Sequence, residues 1–419
     1  MSEFEYILAT DFDRAWLNFE LDLPLKPGKN GEPNPFYINR PGNPIAELED
    51  ALLAPFYRPP KFFFSGHRGC GKSTELLHLM SNAEIQKKYW PIHFSIREEA
   101  DIIDLDFRDV LLAVGGRMFR DYRKSGGQLP EQLLKELNSW RGKVEEEVRT
   151  ISGRPLEFEF GAAIDAFFVN AGMKMKLEPK TRAELRQVFE RDITGLIAVI
   201  NNIATAIYSK EKRIPLILID DLDKPNLEEA RAIFHNRREI MMQPNCAIVY
   251  TVSSALFYSK DFDAIRGQAH FLPNIMLHPP QALDVRDQAG YDTLRSFVQV
   301  RMDANLIDDL ALEDAITYSG GVFREMARIM RTAIGHARRR KAGKVESSDV
   351  EAATTEIRNE YRRILDKDDI QLLKTVNENN RLEYNDRLTP LLQLLALLEY
   401  RNGENWCDVH PVLRKILNE

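Results

Sequence analysis

Eight residues constrain this chain more than any others: Gly66-His-Arg-Gly-Cys-Gly-Lys-Ser73. They follow the apolar run Lys61–Ser65 and open an amphipathic pattern from Lys72 to Met80. The spacing is G-x-x-x-x-G-K-[ST], and a strand before it and a helix after it give that pattern its meaning. Glycines let backbone N–H groups close around anionic oxygens, and the helix N-terminus favours the same charge. A lysine there reaches terminal phosphates and the hydroxyl ligates Mg²⁺. The loop therefore predicts phosphate binding by Gly66, His67, Arg68, Gly69, Cys70, Gly71, Lys72, Ser73 and Thr74.

Further strands are expected at Trp90–Ile96, at Pro215–Ile219, at Ala247–Val252 and, more weakly, at Phe271–Leu277. Helical patterns cover Pro44–Leu53, Leu105–Tyr122 and Thr181–Tyr208, and most of the chain from Pro280 to Arg363. Fully apolar strands alternating with helices predict an α/β fold, a parallel sheet with helices on both faces. Residues 128 to 180 look less regular. Glu131–Ile151 is helix-like, whereas Leu156–Phe160 and Met173–Leu177 alternate with period two and read as half-exposed strands or a hairpin. The expected divisions are an irregular N-terminal segment (1–45), a core with an insertion at about 126–180 (46–280), a helical region (281–363) and a C-terminal module (364–419).

With 44% hydrophobic residues the chain can build real cores, and no apolar run approaches a membrane span. Its start lacks the basic and apolar regions of a secretory signal. Cys70, Cys246 and Cys407 are too scattered for a disulfide framework. A cytoplasmic location without a membrane partner is expected. The formal charge of -7 argues against wholesale coating of nucleic acid.

The second chemical signal is Leu216-Ile-Leu-Ile-Asp-Asp-Leu-Asp223. A buried strand ending in acids would offer Asp220 to the metal and Asp221 to the attacking water. With the upstream loop, these residues resemble the AAA+ and STAND-type P-loop ATPases, closest in layout to the origin-recognition initiator clade. The resemblance spans roughly Phe36 to Glu360. It implies ATP and Mg²⁺ as cofactors, Ser73 and Asp220 at the metal, Lys72 and Asp221 in catalysis, an α-helical lid and a winged-helix-like C-terminal module.

The resemblance implies further roles. Thr251 and Ser253 stand where a polar residue senses the γ-phosphate, although the usual asparagine is missing. Arg324, in Ser319-Gly-Gly-Val-Phe-Arg324, stands at the arginine of the lid, where a guanidinium can fork phosphate oxygens. Arg266, before the final core strand, takes the position of an arginine finger pointing into a neighbour's site, with Arg237 and Arg238 as rivals. Tyr37 and Arg40 fall in the segment that frames the adenine. The last lid helix is expected to start at a Ser347 or Ser348 cap.

Arg324–Lys344 carries eight basic residues against one acid, and the tail 366–419 seven against ten. The basic stretch suits a phosphate-facing lid, a nucleic-acid patch or a solvated helix. The tail reads helix, helix, hairpin at Asn402-Gly403, helix, and its acidity speaks against duplex binding. The leading reading is an ATP-hydrolysing switch that self-associates as a homo-oligomer and signals to a partner protein, with bacterial anti-phage defence as an analogy. A DNA-binding initiator or remodelling ATPase and a nucleotide-binding scaffold without turnover are the alternatives.

Overall fold

The computed structural model describes residues 4–23, 25–28, 32–153, 164–380 and 387–418. The chain divides into two compact units, one of Met1–Glu47, Gly66–Ser81 and Phe271–Glu419, the other of Leu48–Ser65 and Asn82–His270.

The second unit holds nearly all of the sheet. Its strands are β1 (Lys61–Gly66), β2 (Tyr89–Ser95), β3 (Ile214–Asp220), β4 (Ala247–Thr251) and β5 (Ala269–Leu272), in the order β2-β3-β4-β1-β5. The pairings of β2 with β3, β3 with β4 and β1 with β4 are parallel. Ser95 pairs with Asp220 and Phe64 with Thr251, so the carboxyl ends of four strands line up along one edge. Phe63, Ile217, Ile219, Ile248 and Tyr250 enter one large core with the helices Phe107–Lys124 and Ile193–Glu211. Phe64, Leu216, Leu218 and Val249, which alternate with them, are also buried. A parallel sheet apolar on both faces is what continuous Ile/Leu/Val/Phe strands require.

Among its described residues the insertion is helical. Helices Glu131–Ser152, Ile164–Leu177 and Pro179–Arg191 pack around Trp140, whose ring lies 5.4 Å from Phe167 and 6.2 Å from Phe189. Met173–Leu177 is therefore the end of a helix and not a strand. Phe167, Phe168, Ala171 and Met175 are its buried face, while Met173 and Leu177 are exposed. Leu156–Phe160 lies outside the described residues. The long pattern Thr181–Tyr208 is two helices, broken at Asp192, whose carboxylate caps the second by accepting from the Gly195 N–H at 2.9 Å.

In the first unit, Gln288–Gln299, Asp309–Ser319, Phe323–Arg339 and Ser347–Ile364 form a group of helices. The last of these is capped by Glu346 and Asp349 in a reciprocal capping box, not by Ser347 or Ser348. The N-terminal segment, expected to be irregular, contains the helix Phe12–Asn18. Its Trp16 receives the Arg331 guanidinium at 4.8 Å. The C-terminal module has helices Lys367–Asn379 and Leu388–Gln393 and an antiparallel hairpin, β6 (Leu397–Asn402) and β7 (Glu404–Val409), turning at Gly403. Among the described residues no helix is long and apolar enough to cross a membrane.

Candidate functional site: a phosphate loop and an acidic strand end

Within the first unit, the loop Gly66–Gly71 leads into the helix Lys72–Ser81. Buried Lys72 sends its ammonium to the carbonyls of Gly66 at 2.9 Å and His67 at 3.0 Å, so the cation sits inside the loop's curve. Gly71 has φ +107°, a conformation side chains rarely adopt. At Gly69 the reason for glycine is crowding: a Cβ would lie 2.3 Å from the Arg324 Cβ. The Arg324 N–H also donates to the Gly69 carbonyl at 3.2 Å. The start of the helix Phe323–Arg339 thus rests on the loop, with the Arg324 guanidinium held by Asp22 at 2.8 Å. Ser73 and Arg68 are exposed, Thr74 half-buried, and Cys70 buried as a small filler.

Two residues expected to touch nucleotide do other work. Buried Arg40 donates through Nη1 to the Cys70 carbonyl at 2.9 Å and through Nη2 to the Pro273 carbonyl, bracing the loop from behind. The His67 ring is fully buried and turned toward the C-terminal hairpin, where its Nε2 accepts the Glu399 N–H at 2.9 Å. Burial and the nearby Lys72 charge push the imidazole down to about 4, so it stays neutral and an acceptor.

Tyr37 stacks on His78 (4.3 Å between centroids, 13° between planes), and its hydroxyl donates to Glu75 at 3.3 Å. It lines a cleft with Phe36, Phe297 and Phe323. Gly71 and Thr74 of the phosphate loop line the same cleft, as do Glu75 and Arg301. An apolar, aromatic cavity with a few polar groups, opening beside a phosphate loop, suits a nucleotide base. Sequence reasoning missed Glu75, Phe297, Arg301 and Phe323. Glu75 and Phe323 stood next to recognised motifs, whereas Phe297 and Arg301 carried no local signal.

In the second unit, β3 delivers Asp220 and Asp221. Asp220 is buried, accepts the Asp221 N–H at 2.8 Å and lies 3.9 Å from His93 Nε2. Burial lowers the His93 pKa despite that carboxylate. Asp221 has φ +63°, which turns its side chain off the strand line, and it accepts the Ser95 hydroxyl at 2.5 Å. His93 and Ser95 are further residues the sequence reading missed, visible only as polar breaks in an apolar strand. Thr251 donates to the Ile219 carbonyl and accepts the Leu222 N–H, both at 3.0 Å, so it splints the turn that carries Asp221. The Ser253 hydroxyl caps the short helix Ser254–Phe257.

Arg266, in a single turn before β5, is 75% exposed and 3.8 Å from Asp263, itself 84% exposed. Its rivals are engaged: Arg237 pairs with Glu190 at 3.1 Å and Arg238 donates to Gln268 at 3.1 Å. The basic stretch is also largely paired. Arg328 meets Glu360, Arg331 meets Glu20, Lys344 meets Asp308, Arg338 lies 2.6 Å from Asp13 and Arg340 2.7 Å from Asp349.

No protein-family model matches this chain, and no curated protein does. Among solved structures it aligns with Cdc6p from Pyrobaculum aerophilum at 10% identity and a TM-score of 0.42, covering 94% of this chain and 98% of that one. The ORC1 protein of Aeropyrum pernix, solved in complex with DNA, aligns at 14% identity and 0.41, covering 93% and 95%. A RuvB mutant from Thermotoga maritima aligns at 12% and 0.39, covering 91% and 95%. The chain resembles these proteins in layout. At such scores the functional reading rests on its own residues.

One titration in the first unit has a clear sign. Glu399 of β6 is buried with Oε2 unpaired, and burial raises its carboxyl from 4.5 to about 8. A folded-state pKa above the unfolded one gives stability that is complete below pH 4.5 and is lost as pH rises through about 8. Relative to the wild type, Glu399→Gln should therefore gain stability between these limits, by up to about 1.4 kcal/mol per pH unit. Thermal melts of both proteins across that range check this, and a pH-independent difference would show that Glu399 is not the titrating group.

Proposed function

We propose that this chain is a Mg²⁺-dependent ATPase that works as a nucleotide-driven switch, self-associates and acts on a partner protein. The observation that carries the reading is the complete phosphate loop, with the Lys72 ammonium inside its curve and an aromatic cleft beside it. Mg²⁺ of the nucleotide kind takes one or two protein oxygens and completes its shell with phosphates and water. That fits a chain with an exposed Ser73 at the loop. In this reading Ser73 and Asp220 serve the metal, Asp221 orients the attacking water, and Arg324 answers to the bound phosphates.

The switch part of the proposal is supported by His67. A loop residue hydrogen-bonded to the backbone of the C-terminal hairpin ties nucleotide occupancy to that module's docking. The DNA-binding alternative is weaker, because the basic helix spends much of its charge on acids of its own chain.

Lys72→Ala tests the core of the proposal. Removing the charge partner of bound phosphates should weaken ATP binding by about 2–5 kcal/mol, at least tenfold in Kd. Equal affinities of the two proteins in a calorimetric titration would overturn it.

A further inference from the structure

We infer that Asp22 is a built-in competitor of the outermost phosphate of ATP: it holds the Arg324 guanidinium, yields it to ATP rather than to ADP, and so sets how strongly the chain prefers one to the other. The inference rests on the phosphate-loop reading above and adds a residue that lies outside every recognised motif.

Arg324, Arg331 and Arg338 lie seven residues apart on the helix Phe323–Arg339, a spacing that puts them on one face. Each meets an acid of the N-terminal segment, in reverse order along it. Asp22 pairs with Arg324 at 2.8 Å, Glu20 with Arg331, and Asp13 with Arg338 at 2.6 Å. Trp16 fixes this alignment. The Arg331 and Arg338 guanidinium groups lie over its ring at 4.8 and 5.9 Å. The ring also fills the space at Gly335, where a Cβ would come within 2.8 Å of the Trp16 Cζ3. Glycine weakens a helix interior, and here it gives the indole its seat. Buried Ala15, Asn18 and Phe19 hold the same segment down. The segment therefore stays in place when a single ion pair opens.

The Asp22 pair differs from the other two in its position. The Cβ, Cγ and Cδ of Arg324 all lie within 3.1 Å of where a Gly69 Cβ would stand, so the arginine stem crosses the phosphate loop. Leu25, three residues after Asp22, lines the cleft beside that loop. Lys72, which serves the outer phosphates of a nucleotide, rests its ammonium on Gly66 and His67 of the same limb. A guanidinium on that stem can swing from Asp22 to an anion held by the loop through side-chain rotation alone. It forms with phosphate the same forked, charge-assisted bonds that it forms with a carboxylate. Asp22 and the outermost phosphate therefore claim one cation. Asp22 is 81% exposed, so its pair is weak enough to yield. ADP lacks the third phosphate and leaves the pair closed.

The test measures Kd by calorimetry for ADP and for the β,γ-imido analogue of ATP, both with Mg²⁺. Asp22→Ala should tighten the ATP analogue about three- to fivefold, the scale of an exposed ion pair, and leave ADP within about 1.5-fold. Arg324→Met should weaken the ATP analogue, and adding Asp22→Ala to it should change nothing further, because the two residues act as one unit. Glu20→Gln removes an acid of the same segment, but its partner Arg331 lies about two helical turns from Arg324, so both affinities should stay at wild-type values. Unchanged affinity for the ATP analogue in Asp22→Ala overturns the inference. So does an equal gain for both nucleotides, or an equal gain in Glu20→Gln, since each marks general electrostatics in place of competition for Arg324. A gain from Asp22→Ala that persists beside Arg324→Met overturns it too, and if Arg324→Met fails to fold the comparison with Glu20→Gln decides. All these results leave the phosphate loop standing. Wild type that binds neither nucleotide overturns the phosphate-loop reading itself.

Discussion

Asp221→Asn should leave the protein holding ATP that it cannot hydrolyse. The substitution is clean for a backbone reason. Asp221 has φ +63°, and asparagine is among the few residues that accept the left-handed region readily. The amide oxygen can still accept the Ser95 hydroxyl, so the turn after β3 keeps its shape and only the charge is lost. Asp220, which accepts the Asp221 N–H, is untouched. Removing a positioned general base costs on the order of 10²–10⁴ in rate. Phosphate release should fall by that factor while ATP affinity stays within about twofold of wild type, because the ground-state contacts are unchanged. Hydrolysis at the wild-type rate would show that Asp221 does not handle the attacking water. Asp221→Ala is a poorer probe, because alanine at a positive φ adds backbone strain to the chemical change.

The contrast between the acids and the base cleft shows what the sequence could reveal. Asp220 and Asp221 were legible because an apolar run and its acidic end are adjacent in the chain, as are the strand, loop and helix around Lys72. The cleft draws on Phe36, Glu75, Phe297, Arg301 and Phe323, which only tertiary packing brings together. Its Arg301 lies in an amphipathic stretch where an arginine looks like any solvated charge. The insertion misled for a different reason. Met173-Lys-Met-Lys-Leu177 alternates strictly, but the buried spacing Phe167, Ala171, Met175 is helical, and the exposed Met173 and Leu177 imitate a strand's apolar face. The break at Asp192 had a legible cue, an Asp three residues before Gly195, hidden inside an otherwise continuous helical pattern. His67 shows the limit of motif reading. The pattern assigns it to the phosphate loop, yet its side chain serves the hairpin at Glu399, a partner 332 positions away.

The second large effect concerns Arg266. An arginine that stabilises the charge of phosphoryl transfer is worth 10³–10⁵ in rate, roughly, when it arrives from a neighbouring molecule. Such a residue must be exposed in the isolated chain and free of strong internal pairing. Arg266 meets both demands, with 75% of its side chain exposed and a solvated Asp263 at 3.8 Å, a pair worth little in water. Arg237 and Arg238 fail the second, since each is already bonded within its own chain. We therefore expect Arg266→Ala to abolish most hydrolysis while ATP binding is retained, and wild-type specific activity to rise with protein concentration. Mixing Arg266→Ala with Lys72→Ala should restore part of the rate, because one chain keeps an intact phosphate loop and the other an intact arginine. Sedimentation of the mixture establishes that the two share assemblies. A rate independent of concentration in a monodisperse monomer would reject supply by a neighbour. The catalytic cation would then be sought in the same chain, at Arg324, whose backbone already rests on Gly69 of the loop.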